Sequence, residues 1–392
     1  MKNKLIDFYI EKEMIIKKIT KISIIILIGV FITTIVALYF VRQDYRRWVD
    51  INILRKDINT SDIASIDLDI NKNNQIYCYG KNICILNDKN LKLFSSSGQE
   101  GTSIPVDINT ALFDSNGKYL AIAEKNGHNL CTIFDKTFLW KQQVDGDILQ
   151  VSINQNGYVT VVTTDTTYKS IITLYDQNGK SVLKNYLSSS RVVDVSISND
   201  NKFVAFAELD TSGAIIQSNV KIISVDKALT NPEEAIIYTY NADSSKMIIN
   251  INYQDKGTLV CVFDNSVEKI NGKIDENKLD IDKSITFVSC DLNSDIAFIK
   301  EENTGIFNTK STINILNTFN NQNKVYNLDE VIKEMYAYKN IIGVNVGTEM
   351  YFINTNGMLV KKYTSRQEIT NVILSDNLAI IIYKSKIEII EL

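Results

Sequence analysis

One pattern constrains this chain more than any other. Apolar residues at i, i+3 and i+5, then an Asn/Asp/Ser/Gly turn and a second apolar run, recur eight times along the sequence. The copies are Ile63-Ile66-Leu68, Ile108-Ala111-Phe113, Ile148-Val151-Ile153, Val192-Val195-Ile197, Ile248-Ile251-Tyr253, Ile285-Val288-Cys290, Ile332-Met335-Ala337 and Ile369-Val372-Leu374. Their starts lie 45, 40, 44, 56, 37, 47 and 37 residues apart, close to the ~44 residues of a four-stranded propeller blade. A repeat of that length cannot bury both faces of its sheet alone, so the copies must stack on one another.

Within a copy the strands can be read from the breaks between them. In the third, runs at 149–154, 158–163, 170–175 and 182–186 are separated by Gln155-Asn156-Gly157 and Asp176-Gln177-Asn178-Gly179. Asn-Gly also occurs at 116–117, 126–127, 271–272 and 356–357, and it supplies the positive φ angles of tight hairpin turns. With Pro105 and Pro232 the only prolines, few strands are barred from central sheet positions. The 56-residue spacing implies an insertion from Asp226 to Glu234, read as a loop or one helical turn. The last copy has room for three strands, 369–374, 378–383 and 387–391, before Leu392. A fourth strand from elsewhere must cover its edge, and residues 49–54 (Val-Asp-Ile-Asn-Ile-Leu) are the expected donor. The fold expected is an all-β propeller over 57–392, eight four-stranded blades favoured over seven.

Ahead of this domain, Ile22 to Val41 is twenty residues without a charge, closed by Lys21 and Arg42. As a helix it covers the roughly 30 Å of bilayer hydrocarbon. No Ala-x-Ala site follows, so an uncleaved signal anchor is expected, with the lipid bilayer as its partner. Residues 1–21 form a basic leader with six Lys, and 42–56 a juxtamembrane linker containing the closing strand. Lys12, Lys17, Lys18 and Lys21 crowd the membrane entry, which favours a cytoplasmic N-terminus and an extracytoplasmic propeller. The leader reads equally as an amphipathic surface helix over 3–19 or as a solvated extension of the span.

Charge and side-chain inventory exclude several functions. The leader and the linker each carry +3, leaving −10 on 57–392 for a whole-chain −4, so a nucleic-acid partner is not expected. His128, the only histidine, sits in a turn, which leaves no His-rich metal site and no spare base for a serine triad. Asp67-x-Asp69-x-Asn71-x-Asn73 opens like a calcium loop but has Lys72 at the sixth position and Cys78 at the twelfth, so it reads as a solvated strand face. Asp275, Glu276, Asp280 and Asp282 read as a solvated loop. Cys78, Cys84, Cys131, Cys261 and Cys290 are too scattered for a disulfide framework. A three-residue Gly80-Lys81-Asn82 loop would set Cys78 opposite Cys84 and leave one bridge open. The sequence nominates no catalytic, cofactor-binding or metal-ligating residue.

Phe113-Asp114-Ser115-Asn116-Gly117-Lys118-Tyr119-Leu120-Ala121 and Ile197-Ser198-Asn199-Asp200-Asn201-Lys202-Phe203-Val204-Ala205 resemble the first-to-second strand turn of WD40-like and TolB-like propellers. Leu174-Tyr175-Asp176-Gln177-Asn178-Gly179-Lys180 and Phe352-Ile353-Asn354-Thr355-Asn356-Gly357 resemble the third-to-fourth turn of quinoprotein-like propellers. One span followed by a divergent propeller is similar to a family of single-span Gram-positive proteins carrying a domain of unknown function. The blades lack a Trp-Asp ending, and Trp140 is the only Trp of the domain, unlike the docking pattern of quinone-dependent dehydrogenases. A rigid ring of interaction surface with no recognisable catalytic set, tethered by a short linker at the bilayer, is expected to serve as a binding or scaffolding platform at the cell envelope, with a protein partner on one propeller face. The alternatives are a propeller enzyme acting on cell-wall polysaccharide or peptide, which requires two axial carboxylates, and a sensor signalling through the leader.

Overall fold

The computed structural model describes residues 2–41, 49, 63–254, 257–270, 279–281, 285–303 and 309–392. It divides into two units, 1–58 and 59–392. The first contains one unbroken helix, Lys2–Val41, so the basic leader continues into the apolar segment without a break. Its Thr20–Val41 segment is long and apolar enough to cross a membrane.

The second unit contains, among the described residues, eight four-stranded antiparallel sheets. Seven are built from consecutive strands, beginning with Gln75–Tyr79, Ala111–Asn116, Asp147–Ile153, Ser190–Ile197, Ile248–Tyr253, Ile285–Ser289 and Glu334–Tyr338 as the first strands of blades 1 to 7. The eighth is Asn371–Ser375, Leu378–Ile382 and Lys386–Glu391, completed by Ala64–Asp67 from the beginning of the unit. Eight hydrophobic clusters fill the gaps between successive blades, one per gap. Strand alternation puts Val204 and Phe206 against blade 3 and Ala205 and Ala207 against blade 5. Every blade is thereby buried on both faces, the stacking that the repeat demanded.

The strand that closes the ring corrects the sequence reading. Residues 50–54 of the expected donor lie outside the described residues, and the slot is held by Ala64–Asp67. That strand pairs antiparallel with the chain end, Ala64 opposite Ile389 and Ile66 opposite Ile387. Ile66 is buried with Ile83, Ile85 and Phe94 of blade 1 and Ile387 and Ile389 of blade 8. The copy Ile63-Ile66-Leu68 is therefore the outer strand of the last blade, and blade 1 begins at Gln75. Its spacing fits the repeat because an outer strand packed on the next blade needs the same alternation as an inner one.

Two turn expectations are also revised. At 116–117, 156–157, 178–179 and 356–357 only the glycine has positive φ, +60, +78, +80 and +75°. The residue two before the Asn does the remaining work in three of these turns. Asp176 Oδ1 accepts from the N–H groups of Asn178 and Lys180, both 2.9 Å away, and Asn154 and Asn354 Oδ1 repeat that pair of bonds. At 126–127 the positive φ falls on Asn126, and 271–272 lies outside the described residues. The hairpin after blade 1's first strand has a two-residue connection, so Cys78 faces Ile83 and Cys84 faces Tyr77. One residue of register moves the two sulfurs to opposite sheet faces, and both thiols are free and buried. The insertion in blade 4 is a helix, Val225–Thr230, with Ser224 as its cap, followed by a 3-10 turn, Pro232–Glu234.

Candidate functional site at the propeller axis

Eight first strands surround the axis. On the seven that carry the repeat, the positions alternating with the apolar i+3 and i+5 residues are mostly polar, among them Ser152, Asp194, Ser196, Asn250, Asn252 and Asp291. These strands are sheet edges, so their outward N–H and C=O groups need partners. The inward side chains supply them across the blade boundaries. Asp114 Oδ2 accepts the Ile153 N–H at 2.7 Å, Asp194 Oδ2 the Ile251 N–H at 2.9 Å, Ser196 Oγ the Tyr253 N–H at 2.9 Å and Gln75 Oε1 the Ala111 N–H at 2.7 Å. Asn252 and Gln254 donate to the Cys290 carbonyl at 2.9 and 3.2 Å. The Cys290 thiol donates to Asn250 Oδ1 at 2.8 Å, and Asn250 Nδ2 donates to Asp194 at 2.8 Å.

Burial in this channel raises the axial carboxyls. Asp114 is pushed up to about 7, with the N–H groups of Ile153 and Ser115 opposing the shift and the Asp194 charge adding to it. Asp194 is raised to about 6 by burial, opposed by the N–H groups of Ile251 and Val195. Asp291 is raised for the same first reason, with the Ser289 hydroxyl opposing. Asp114 and Asp194 act as fasteners between blades, and the charge of all three acids is poorly solvated.

Among the described residues, two recesses open on the axis. One, of about 540 Å³, lies beside the first-to-second strand turns and is lined by polar groups including Asn116, Asn199, Asn252, Ser152 and Tyr253. The other, of about 450 Å³, lies at the starts of the first strands, where Ile249, Val288, Met335 and Val372 line it. Asp291, Ala337 and Tyr338 line both and form the partition between them. The chain enters and leaves the ring on the polar side, since Ala64 pairs with Ile389 and the Leu392 N–H reaches Asn377 O at 2.8 Å.

The residues weighed in the sequence lie elsewhere. His128 is exposed, 3.8 Å from Asp147. Asp69 caps a turn, its Oδ1 accepting the Asn71 N–H at 3.0 Å. Asp280 lies in the outer strand of blade 5, while Asp275, Glu276 and Asp282 lie outside the described residues. Among the described residues no group of three His, Cys, Asp or Glu side chains is placed to hold a metal ion. Trp140 docks on the neighbouring blade's third-to-fourth turn, its Nε1–H reaching Gln177 O at 3.1 Å. Sequence reading missed the axial set because Asp114 and Asp194 resemble the solvated half of a strand. The available signal was the recurrence of polar residues at i+2, i+4 and i+6 of the repeat.

Solved structures with this fold share little sequence with the chain. The C-terminal WD40 domain of Sif2 matches with a TM-score of 0.56 at 12% identity, over 84% of this chain and 99% of that one. Sqt1 of Chaetomium thermophilum, solved bound to the N-terminus of the ribosomal protein L10, matches with a TM-score of 0.50 at 10% identity, over 81% and 95%. BamB of Moraxella catarrhalis has a TM-score of 0.49 at 11% identity, over 85% and 99%. Similarity at these identities establishes the propeller fold alone. No curated protein matches the chain. The model of a family of unknown function, DUF5711, matches residues 55–392, and the chain belongs to that family.

Proposed function

We propose that this protein is a single-span membrane protein whose extracytoplasmic propeller serves as a binding and scaffolding platform for a protein partner at the cell envelope. One observation carries the reading: a helix long and apolar enough to cross a membrane, Thr20–Val41, precedes in sequence a ring that buries every blade on its neighbours. Leu27, Phe31 and Phe40 are 72, 64 and 74% exposed. The hydroxyls of Thr33 and Thr34 bond back to Val30 O at 2.9 and 2.8 Å, which suits a lipid surround. The ring, in turn, offers its turns and two chemically distinct mouths for binding. Sqt1, a propeller of similar fold, holds the N-terminus of another protein, an instance of what such a ring can do.

Binding is favoured over catalysis because Asp114 and Asp194 both spend oxygens on backbone N–H groups of the next blade. A general acid so engaged would loosen its own blade contact as it transferred a proton. Proximity labelling from intact membranes tests the platform, with recovery of envelope or membrane proteins expected. Recovery of none contradicts it. The unbroken helix Lys2–Val41 favours, as a second reading, a leader that transmits an external signal. Deleting residues 2–19 should then abolish the phenotype while leaving the propeller's melting unchanged, and an unaltered phenotype removes that reading.

A further inference from the structure

The polar recess has a chemistry that its structural duties do not exhaust. Its volume of about 540 Å³ falls within the range of small-ligand sites, roughly 300–1,000 Å³. Its walls are mostly amides and hydroxyls, and several are unspent. The Asn116 and Asn199 side chains make no hydrogen bond among the described residues, although both line the recess. Asn252 commits its Nδ2 to Cys290 O and leaves its Oδ1 to the recess. On the partition, the Tyr338 hydroxyl is enclosed without a partner. Such a wall presents donors and acceptors at fixed positions, together with the Tyr77 and Tyr253 rings.

Charge narrows the ligand class. Anions meet Asp114 and Asp291, and Lys339, the only cation lining the recess among the described residues, is held by Asp376 at 2.8 Å. A compact cation would gain from the acids, but it would leave the neutral amides of the wall without partners, and the acids are already engaged, Asp114 by the Ser115 and Ile153 N–H groups and Asp291 by the Ser289 hydroxyl. A neutral ligand carrying many hydroxyls fits both constraints, because each hydroxyl donates and accepts.

We propose that the recess beside the first-to-second strand turns binds a neutral saccharide unit, held by Asn116, Asn199 and Asn252 and floored by Tyr338. The source is a free sugar or the end of a glycan chain, which share this chemistry. The inference stands apart from the membrane side and the protein partner proposed above, so either can fail alone.

The test uses the full chain in a zwitterionic detergent without a sugar headgroup. Saturation-transfer NMR and calorimetry are run with a panel of neutral gluco-, galacto-, manno- and N-acetylhexosamine oligosaccharides, with spermidine and inorganic phosphate as charged probes. A second arm measures co-sedimentation with insoluble glucan and chitin, which distinguishes chain ends from free sugar. Saturable binding of at least one neutral saccharide is expected. Asn116→Ala and Asn199→Ala should each weaken it about 5-fold, the size of one neutral hydrogen bond, without lowering the melting temperature. Absence of binding across the panel, binding of spermidine or phosphate in place of the sugars, or undiminished affinity in the Asn116→Ala/Asn199→Ala double variant each overturns the proposal.

Discussion

Asp114 makes the axis sensitive to pH, and the sign is opposite to that of an ordinary paired carboxylate. Its folded-state pKa of about 7 stands above the ordinary value of 3.8, so the folded chain holds the proton more tightly than the unfolded one. The associated stabilisation is complete below about pH 3.8 and is lost as pH rises through 7. Between pH 8 and pH 5.5 the group should contribute about 2 kcal/mol, and Asp194, at about 6, roughly 1 kcal/mol more. A domain of roughly 330 residues unfolds with an entropy that makes 1 kcal/mol worth about 1.5 °C. Acidification from pH 8 to 5.5 should therefore raise the melting temperature by about 4 °C from these two groups. Asp114→Asn removes the larger share and should leave a rise of about 1–2 °C from Asp194, at the loss of one N–H acceptor worth about 1 kcal/mol. The assay is differential scanning calorimetry of both proteins at fixed ionic strength across that range. An Asp114→Asn protein with the same pH slope as the parent, or a parent that loses stability on acidification, refutes the assignment of Asp114 as a desolvated interblade fastener.

Two further perturbations follow from the turns and the closing strand. At Gly179, with φ +80°, an added Cβ would meet Trp140 Cδ2 at 2.8 Å, whereas at Gly117, with φ +60°, it meets nothing within 4 Å. Gly117→Ala should cost about 1 kcal/mol and Gly179→Ala at least twice that in urea unfolding, and equal effects would contradict the docking of Trp140. A chain beginning at Asn59 keeps Ala64–Asp67 and should melt with the parent propeller. One beginning at Asp69 exposes the edge of Lys386–Glu391, loses Ile66 from its cluster, and should melt lower and aggregate. Equal melting of the two would show that the ring closes by another strand.

Much of this architecture can be read from the chain because its signals are local. Seven of the eight repeat copies mark true first strands, since each needs the same apolar spacing to pack between two neighbours. The eighth, at Ile63, misleads for that reason, as spacing reports burial and carries no information about the strand's place in a blade. Register is equally opaque at Cys78 and Cys84, where one residue of loop length decides which face a sulfur takes. The axial site was the least legible part. Its members come from separate blades, Asp114 meeting Ile153 and Asp194 meeting Ile251, and only closure of the ring brings them together. The recess inherits that difficulty, because Asn116 and Asn199 are ordinary turn residues until the ring sets them around one cavity.

The proposed anchoring and outward orientation of the ring are tested most directly by labelling. The described cysteines are all buried and free, and burial pushes the Cys78 and Cys131 thiols up to about 12, so the native protein should be silent to a membrane-impermeant maleimide. Lys136→Cys adds one exposed thiol in a propeller turn, at Phe134–Thr137. In intact cells this variant should label as fully as it does after lysis, while an N-terminal Lys2→Cys variant should label only after lysis. Labelling of Lys136→Cys that appears only on lysis would contradict the account.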